Sequence, residues 1–465
     1  MDLNPKLILL LLAALGLAGI SLRRYLHTRQ FIRRHNCQPV TRTFNKDPFL
    51  GLDILSGTIR AIKDHQVLQR GAALHHIHGN TLKAKELTST IILTIEPENI
   101  KTILSLNFTD YSLGHRLEPF RPLLGEGIFN TDGAHWAESR ALIRPSFARD
   151  QIADLTLLEA LSIGTLKKSQ GELGFADAFQ YSQQAILTRS LLGPLNAVYR
   201  DRKAEECDRV CREFVQEFVE EAVRAAESRS EKEKETGSET KHKRIFSHEL
   251  ASRTSAKERI RNELLNVLLA GRDTTASLLA NLFFVLAKNP AIWEKLRDEV
   301  AVLQNRPPTY DELRGLKYVE YCVNESLRLH PVVPRNGRKA IRDTVLPLGG
   351  GDDGLSPAFV PKGTVVAYYT YAMHRRTDIY GPDAEEFRPE RWADGALRPR
   401  WGYLPFNGGP RICIGQRYAL TEASYVLGRM VQEFRELESR DPGPWEENLS
   451  LTVCSRNGAR VGLVR

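Results

Sequence analysis

Cysteine is sparse in this chain of 465 residues, and the six present, at 37, 207, 211, 322, 413 and 454, are neither dense nor regularly spaced. That excludes a small secreted domain stapled by disulfides and fits a reducing compartment. Cys207 and Cys211 stand four apart on an expected helix, but no His or Cys pair lies at zinc spacing nearby, so they read as ordinary helix surface or core. Internal repeats are absent. A charge excess over the body of the chain is absent too. The formal charge is +8, yet Lys6, Arg23, Arg24, Arg29, Arg33, Arg34, Arg42 and Lys46 against Asp2 and Asp47 put six of those charges in the first 50 residues. The remainder is nearly neutral with both signs interspersed, which removes the electrostatic footprint of a nucleic-acid partner.

Only one apolar run is long, Leu7 to Leu22, LILLLLAALGLAGISL, directly ahead of that basic cluster. At a helical rise of about 1.5 Å per residue it spans roughly 24 Å, short for a bilayer but sufficient with snorkelling arginines. A cleaved signal peptide is the rival reading, because the small residues near 16–19 imitate a cleavage site. Arg23 and Arg24 downstream, with Lys6 offset by Asp2 upstream, favour a retained anchor over residues 1–24, seated in a lipid bilayer with the body facing the cytosol. Residues 25–84 then read as a basic juxtamembrane and linker region and 85–465 as the catalytic domain.

The body is expected to be mainly α with minor β. Proline is missing from Ile260 to Lys288, long enough for one helix to cross a domain before Asn289 and Pro290 stop it. Phe214, Val215, Phe218, Val219, Ala222 and Val223 recur at helical spacing as a core stripe. Glu227 to Arg244, ESRSEKEKETGSETKHKR, has almost nothing apolar and reads as a charged surface loop at 227–244. Residues 309–331 predict two helices, the second ending at His330 and Pro331. Thr364 to Tyr371 predicts a short strand, Gln416 to Leu437 a helix, and Leu449 to Val464 a terminal hairpin.

The chemistry concentrates in Phe406 to Gly415, FNGGPRICIG, immediately before a helix. A thiolate ligating iron tolerates little side-chain bulk between itself and a macrocycle, a condition that Gly408, Gly409 and Gly415 suit. Backbone N–H groups and the helix N-terminus temper the charge on Cys413, and Arg411 suits a haem propionate. An isolated cysteine is more often a buried, inert thiol; the surrounding pattern argues otherwise.

These residues resemble the haem-binding loop of the cytochrome P-450 family, whose proximal iron ligand matches Cys413. Glu325 and Arg328 match the family's Glu-x-x-Arg pair, and Phe387 to Arg391 match the segment whose arginine completes a buried triad, here Arg391. Ala270 to Thr275, AGRDTT, resemble the oxygen-activation segment, which implies proton delivery by Asp273 and Thr274. Threonine at such a place can bond back to a helix carbonyl and open a groove. Trp136 and Arg140, four apart on a helix, are placed by the resemblance on the haem propionates, with Arg338 a further candidate and Phe406 and Gly408 lining the cofactor loop. Pro122 to Gly133, PLLGEGIFNTDG, together with VPRNGR from Val333 and LPLGGG from Leu346, resembles the fungal class that hydroxylates n-alkanes and fatty acids near the chain end.

The resemblance implies a cytochrome P-450 fold, an α-rich prism around haem b (iron protoporphyrin IX) with small β-sheets. It also implies a hydrophobic small-molecule substrate and anchorage in the endoplasmic reticulum membrane. No flavin or iron–sulfur module is visible, so electrons are expected from a separate NADPH-cytochrome reductase. Oxidation of a secondary metabolite by the same chemistry is the alternative, as is an inactive, haem-poor remnant. The last arises from one departure: residues 151–175 pass at once into FADAFQYSQQ, as though a helix-containing segment had been deleted there.

Overall fold

The computed structural model describes residues 5–41, 45–47, 50–86, 89–148, 174–193, 196, 198–236, 246–393, 395 and 397–465. The principal helices are α1 (Pro5–Arg34), α2 (Leu52–Lys63), α3 (Val67–His78), α4 (Gly133–Ile143), α5 (Phe175–Leu192), α6 (Arg202–Thr236), α7 (Lys257–Leu286), α8 (Pro290–Val300), α9 (Lys317–Leu329) and α10 (Gln416–Glu433). The strands are β1 (Thr81–Glu86), β2 (Ser89–Thr94), β3 (Tyr111–Ser112), β4 (Arg335–Ala340), β5 (Thr344–Gly350), β6 (Ser356–Val360), β7 (Val365–Tyr369), β8 (Glu436–Ser439), β9 (Glu447–Leu449), β10 (Val453–Ser455) and β11 (Val461–Val464). Five of them form one sheet in the order β1-β2-β7-β4-β3, with β2 and β7 parallel. The rest pair two by two. The mainly-α, minor-β expectation holds.

The proline-free run is a single helix that joins two cores. Its C-terminal half buries Leu278, Leu282, Phe283 and Leu286 against Trp293 and Leu296 of α8, Val319 and Leu327 of α9, and Leu427 and Val431 of α10. Its N-terminal half buries Leu265 and Leu269 against Phe179 and Ile186 of α5 and Val215 and Val219 of α6. Between the two cores Ala270, Gly271 and Arg272 are exposed. At ~1.5–3 kcal/mol per buried large apolar side chain, each core holds its half of α7 in place without help from that intervening turn. Asn289 and Pro290 end the run as expected, Pro290 taking the first helical position of α8, where its missing N–H costs nothing.

Four expectations need correction. The segment Glu227–Arg244 is not a loop throughout: α6 continues to Thr236, because Glu, Lys and Arg are good helix formers and a helix already anchored by Val215 and Val219 needs no further apolar face to extend. Residues 237–244 lie outside the described residues. The span 25–84 is not a linker. Helix α1 continues to Arg34, Gln38 bridges to Ala358, and α3 buries Leu68 and His75. Gly71 brings α3 so close to Tyr369 that a Cβ would lie 2.6 Å from its ring. Helix α10 stops at Glu433 rather than 437, since Leu437 is buried on β8 opposite Leu463 of β11. That pairing also undoes the terminal hairpin: β10 turns back on β9, while β11 crosses to β8. The proposed deletion concerns residues 151–173, outside the described residues, and Gly174–Phe175, where α5 begins.

Among the described residues no single helix is long and apolar enough to cross a membrane. On α1, Leu12, Leu15, Leu17, Ile20 and Leu22 are all exposed.

Three buried histidines set a pH dependence. The His374 ring is locked as one tautomer: Nδ1 donates to the Arg328 carbonyl at 3.1 Å and Nε2 accepts from Leu404 N–H at 2.9 Å. Burial pushes it down to about 3, and His75 down to about 4. His330, its ring centroid 4.4 Å from that of Trp445 and tilted against it, is pushed well below the ordinary value by burial. All three are neutral when folded but take up protons near the ordinary value of 6.5 when unfolded. Their stabilisation is therefore present above pH 6.5 and lost as pH falls, by about 1.4 kcal/mol per pH unit for each. Burial raises the carboxyls of Asp208, Glu263 and Glu447, which act in the opposite sense at lower pH. Urea unfolding should therefore show stability dropping from about pH 6.5 to about pH 5, and His330→Phe should flatten that slope by about a third. An unchanged slope in the variant excludes His330 as a contributor.

Candidate functional site

The segment ahead of α10 is a tight loop closed by its own backbone, with Cys413 N–H donating to the Phe406 carbonyl at 2.9 Å. Asn407 adopts a positive φ of 62°, and its Oδ1 accepts from the Tyr368 hydroxyl at 2.8 Å. The glycines serve different neighbours from those expected. A Cβ on Gly408 would lie 2.5 Å from the Trp401 ring, and one on Gly409, at φ +67°, would sit on the Leu104 carbonyl. Both are therefore required by protein packed behind the loop. Gly415 is the one beside the sulfur, with Cys413 Sγ 4.0 Å from a built Cβ. The Phe406 ring packs on the helical core of α7 to α10.

Cys413 itself is exposed, yet burial raises its thiol. The Gly415 N–H and the Arg140 charge act against that rise and favour the thiolate.

Behind the loop, Glu325 has no exposed surface. Its Oε1 accepts from Arg328 Nη2 at 2.8 Å, Arg391 Nε at 2.8 Å and Arg388 N–H at 2.9 Å. Its Oε2 accepts from Arg328 Nε at 2.9 Å and Trp392 Nε1 at 3.0 Å. Arg328 donates onward to the carbonyls of His374, Ala384 and Glu386, and Arg391 to those of Tyr380 and Asp383. The network reaches the thiolate loop: Leu404 N–H bonds His374, and the Tyr380 hydroxyl donates to Gly402 O at 2.9 Å.

On another side of the loop lies a group of cations. Arg411 donates to Thr131 O and Asp132 Oδ1, both at 2.7 Å, and its guanidinium lies 4.4 Å from the Trp136 ring centroid. Arg140 donates to Ile412 O at 3.0 Å. Helical spacing thus aims Trp136 and Arg140 of α4 at the same loop. Arg338 of β4 is buried; its Nη1 bonds Gly337 O at 2.8 Å and its Nε has no partner. Arg116 joins it by donating to Asn336 Oδ1 at 2.7 Å. No motif or spacing marked Arg116, which arrives through the short turn Gly114–Arg116. Burial, and then mutual repulsion with Arg338, push the Arg116 guanidinium down to about 10. Arg411 also falls to about 10, through burial and the nearby Arg338 and Arg140, with Asp132 opposing. Four cations facing one acid, with a buried guanidinium N–H unsatisfied, make a site for a dianion. A haem with two propionates fits that donor set, and Cys413 fits its iron.

In the turn of α7 between its two cores, Thr274 Oγ1 donates back to Ala270 O at 2.5 Å, the bond expected of it. Asp273 accepts from Arg272 at 3.5 Å, and burial raises its carboxyl. Arg272 and the Gln183 amide of α5 oppose that rise, although Gln183 closes no hydrogen bond of ordinary geometry and Oδ2 is left without a partner. Ile414, next to Cys413, packs with the cluster that holds Leu265 and Leu269 of α7.

The cytochrome P-450 family model matches residues 173–458. The chain is 43% identical to the cytochrome P-450 monooxygenase himC of Aspergillus japonicus, over 92% of this chain and 84% of that one. It is 43% identical to the monooxygenase FPY7 of Fusarium mangiferae, over 99% and 96% respectively, and 38% identical to cytochrome P-450 52A5 of Candida maltosa, over 85% and 84%. The Fusarium alignment runs over 503 positions against 465 residues here, so that protein carries at least 38 residues with no counterpart in this chain.

Glu325→Gln leaves two guanidinium groups buried around a neutral amide. The expected cost is about 3–5 kcal/mol of stability, read by urea unfolding. A loss under 1 kcal/mol would place the network among surface pairs of little worth.

Proposed function

The chain belongs to the cytochrome P-450 monooxygenase family, and from that membership we propose that it inserts one atom of dioxygen into a C–H bond of a hydrophobic substrate, with Cys413 as the iron ligand. The observation that carries the reading is the gathering of Arg140 and Arg411, with Asp132, about the loop that presents an accessible cysteine. Haem b held there supplies the dioxygen chemistry, with the thiolate favouring O–O cleavage. Everything else falls to the chain.

Trp136, Arg140, Arg338 and Arg411, joined by Arg116, hold and orient the propionates. Gly415 N–H and Arg140 spread the negative charge of the Cys413 sulfur. Asp273, its carboxyl raised by burial, holds a proton at Oδ2 more readily than an exposed aspartate. The Thr274 hydroxyl, with its hydrogen committed to Ala270 O, offers a lone pair for water beside it. Together they offer protons a path from solvent toward the haem that Cys413 would hold. The Glu325–Arg328–Arg391 network keeps the 402–404 approach to the loop rigid, so the sulfur stays in register.

Terminal hydroxylation of n-alkanes or fatty acids is the finer reading, supported by the segments from Pro122, Val333 and Leu346, which resemble the fungal class with that activity. Oxidation of a secondary metabolite by the same chemistry is the second reading. Electrons come from a separate NADPH-cytochrome reductase. Helix α1, with exposed leucines ahead of Arg23 and Arg24, anchors the body to the endoplasmic reticulum membrane.

The purified full chain should load haem and, once reduced and treated with carbon monoxide, show the thiolate Soret band; Cys413→Ala should abolish it. Haem-free protein would identify an inactive remnant. Thr274→Ala should keep NADPH consumption while lowering product per NADPH by roughly tenfold or more. Spin-state titration with fatty acids, alkanes and terpenoids separates the two substrate readings.

A further inference from the structure

The segment Pro122–Gly133 lies along α7 just ahead of the exposed Ala270 turn. Asn266 Oδ1 accepts from Phe129 N–H at 3.0 Å, and its Nδ2 donates to Leu124 O at 3.2 Å. Glu263 Oε2 accepts from Ile128 N–H at 3.1 Å. The two glycines of GEG are what let the loop lie so close: a Cβ on Gly125 would overlap the Asn262 side chain, and one on Gly127 would come within 2.5 Å of Asn266 Nδ2. Within the loop, Asn130 bonds Gly127 N–H at 3.0 Å and Gly125 O at 2.8 Å, so it moves as one piece.

One turn earlier, Arg259 pairs with Glu263 at 3.2 Å and donates to Ser139 Oγ at 2.7 Å, with the His135 ring at the same distance. Both partners belong to α4. Residues 259, 262, 263 and 266 follow helical spacing and form a single polar stripe, of which Asn262, Glu263 and Asn266 are buried. A stripe of this composition is costly unless it is bonded, and what it bonds leads to the cofactor loop. The loop ends in Thr131 and Asp132, which hold Arg411; α4 carries Trp136 and Arg140.

We propose that Arg259, Asn262, Glu263 and Asn266 form a clamp through which α7 positions the propionate-side groups Arg411, Trp136 and Arg140, making Glu263 and Asn266 positioning residues for haem retention. The proposal rests on the haem-thiolate reading. It separates from simple support of the fold by one property: a residue acting through propionate-binding cations matters only when the propionates are charged.

The experiment follows haem transfer from the full-length holoprotein to apomyoglobin, comparing haem with its dimethyl ester, which lacks the propionate charges. Asn266→Leu should speed loss of haem about ten- to a hundredfold and leave loss of the ester unchanged. Gly127→Ala, which lifts the loop from Asn266 while touching no cofactor group, should act in the same direction and serves if Asn266→Leu does not fold. Glu263→Gln, keeping an acceptor for Ile128 N–H but losing the charge opposite Arg259, should fall between wild type and Asn266→Leu. Equal acceleration for both haems, or none for either, overturns the clamp. A wild type without the thiolate Soret band overturns the functional reading itself.

Discussion

A carboxylate removed from water must have its charge met by hydrogen bonds, and Glu325 meets this condition with five donors from Arg328, Arg388, Arg391 and Trp392. Because two of those donors are guanidinium groups with N–H left over, the network extends to carbonyls between 374 and 386 and draws the intervening chain around α9. His374 and Tyr380 carry the constraint on to Leu404 and Gly402. The loop that presents Cys413 starts from there. Such a network is rigid because no member can leave without stranding another buried charge.

The opposite electrostatic situation prevails on another side of the same loop. Arg116, Arg140, Arg338 and Arg411 are drawn together with Asp132 as the acid facing Arg411, and burial and repulsion weaken the hold of Arg116 and Arg411 on their protons. The first network is balanced and structural; the second carries excess positive charge and is suited to an anionic cofactor. Between the two cores that fix its ends, α7 leaves the Ala270–Arg272 turn exposed.

Packing also reassigns the glycines. Gly408 and Gly409 suggested room for a macrocycle, but each is pressed on the other side by Trp401 or the Leu104 carbonyl. Gly125 and Gly127, unremarked within their motif, prove to be the contact points with Asn262 and Asn266. A glycine in a sequence states that a side chain is unwelcome; the neighbour that excludes it is known only after folding.

What the sequence by itself determined are the features whose physics is local. The Cys413 loop, the Glu325–Arg328 pair one turn apart, the spacing of Trp136 and Arg140, the back-bonding Thr274 and the proline-free length of α7 each follow from residue type and spacing along a few turns. Only the tertiary structure decided the rest. Arg116 joins Arg338 through a turn that no pattern announces, β11 crosses to β8, where Leu437 is buried, and the Glu227 segment stays helical to Thr236 because α6 is already anchored upstream. The polar stripe of α7 reads as scattered hydrophilic residues until the Gly125–Asp132 loop is laid against it. These outcomes depend on contacts between residues far apart in the chain, where packing and the cost of burying polar groups select the partner, and no spacing along the chain records that choice.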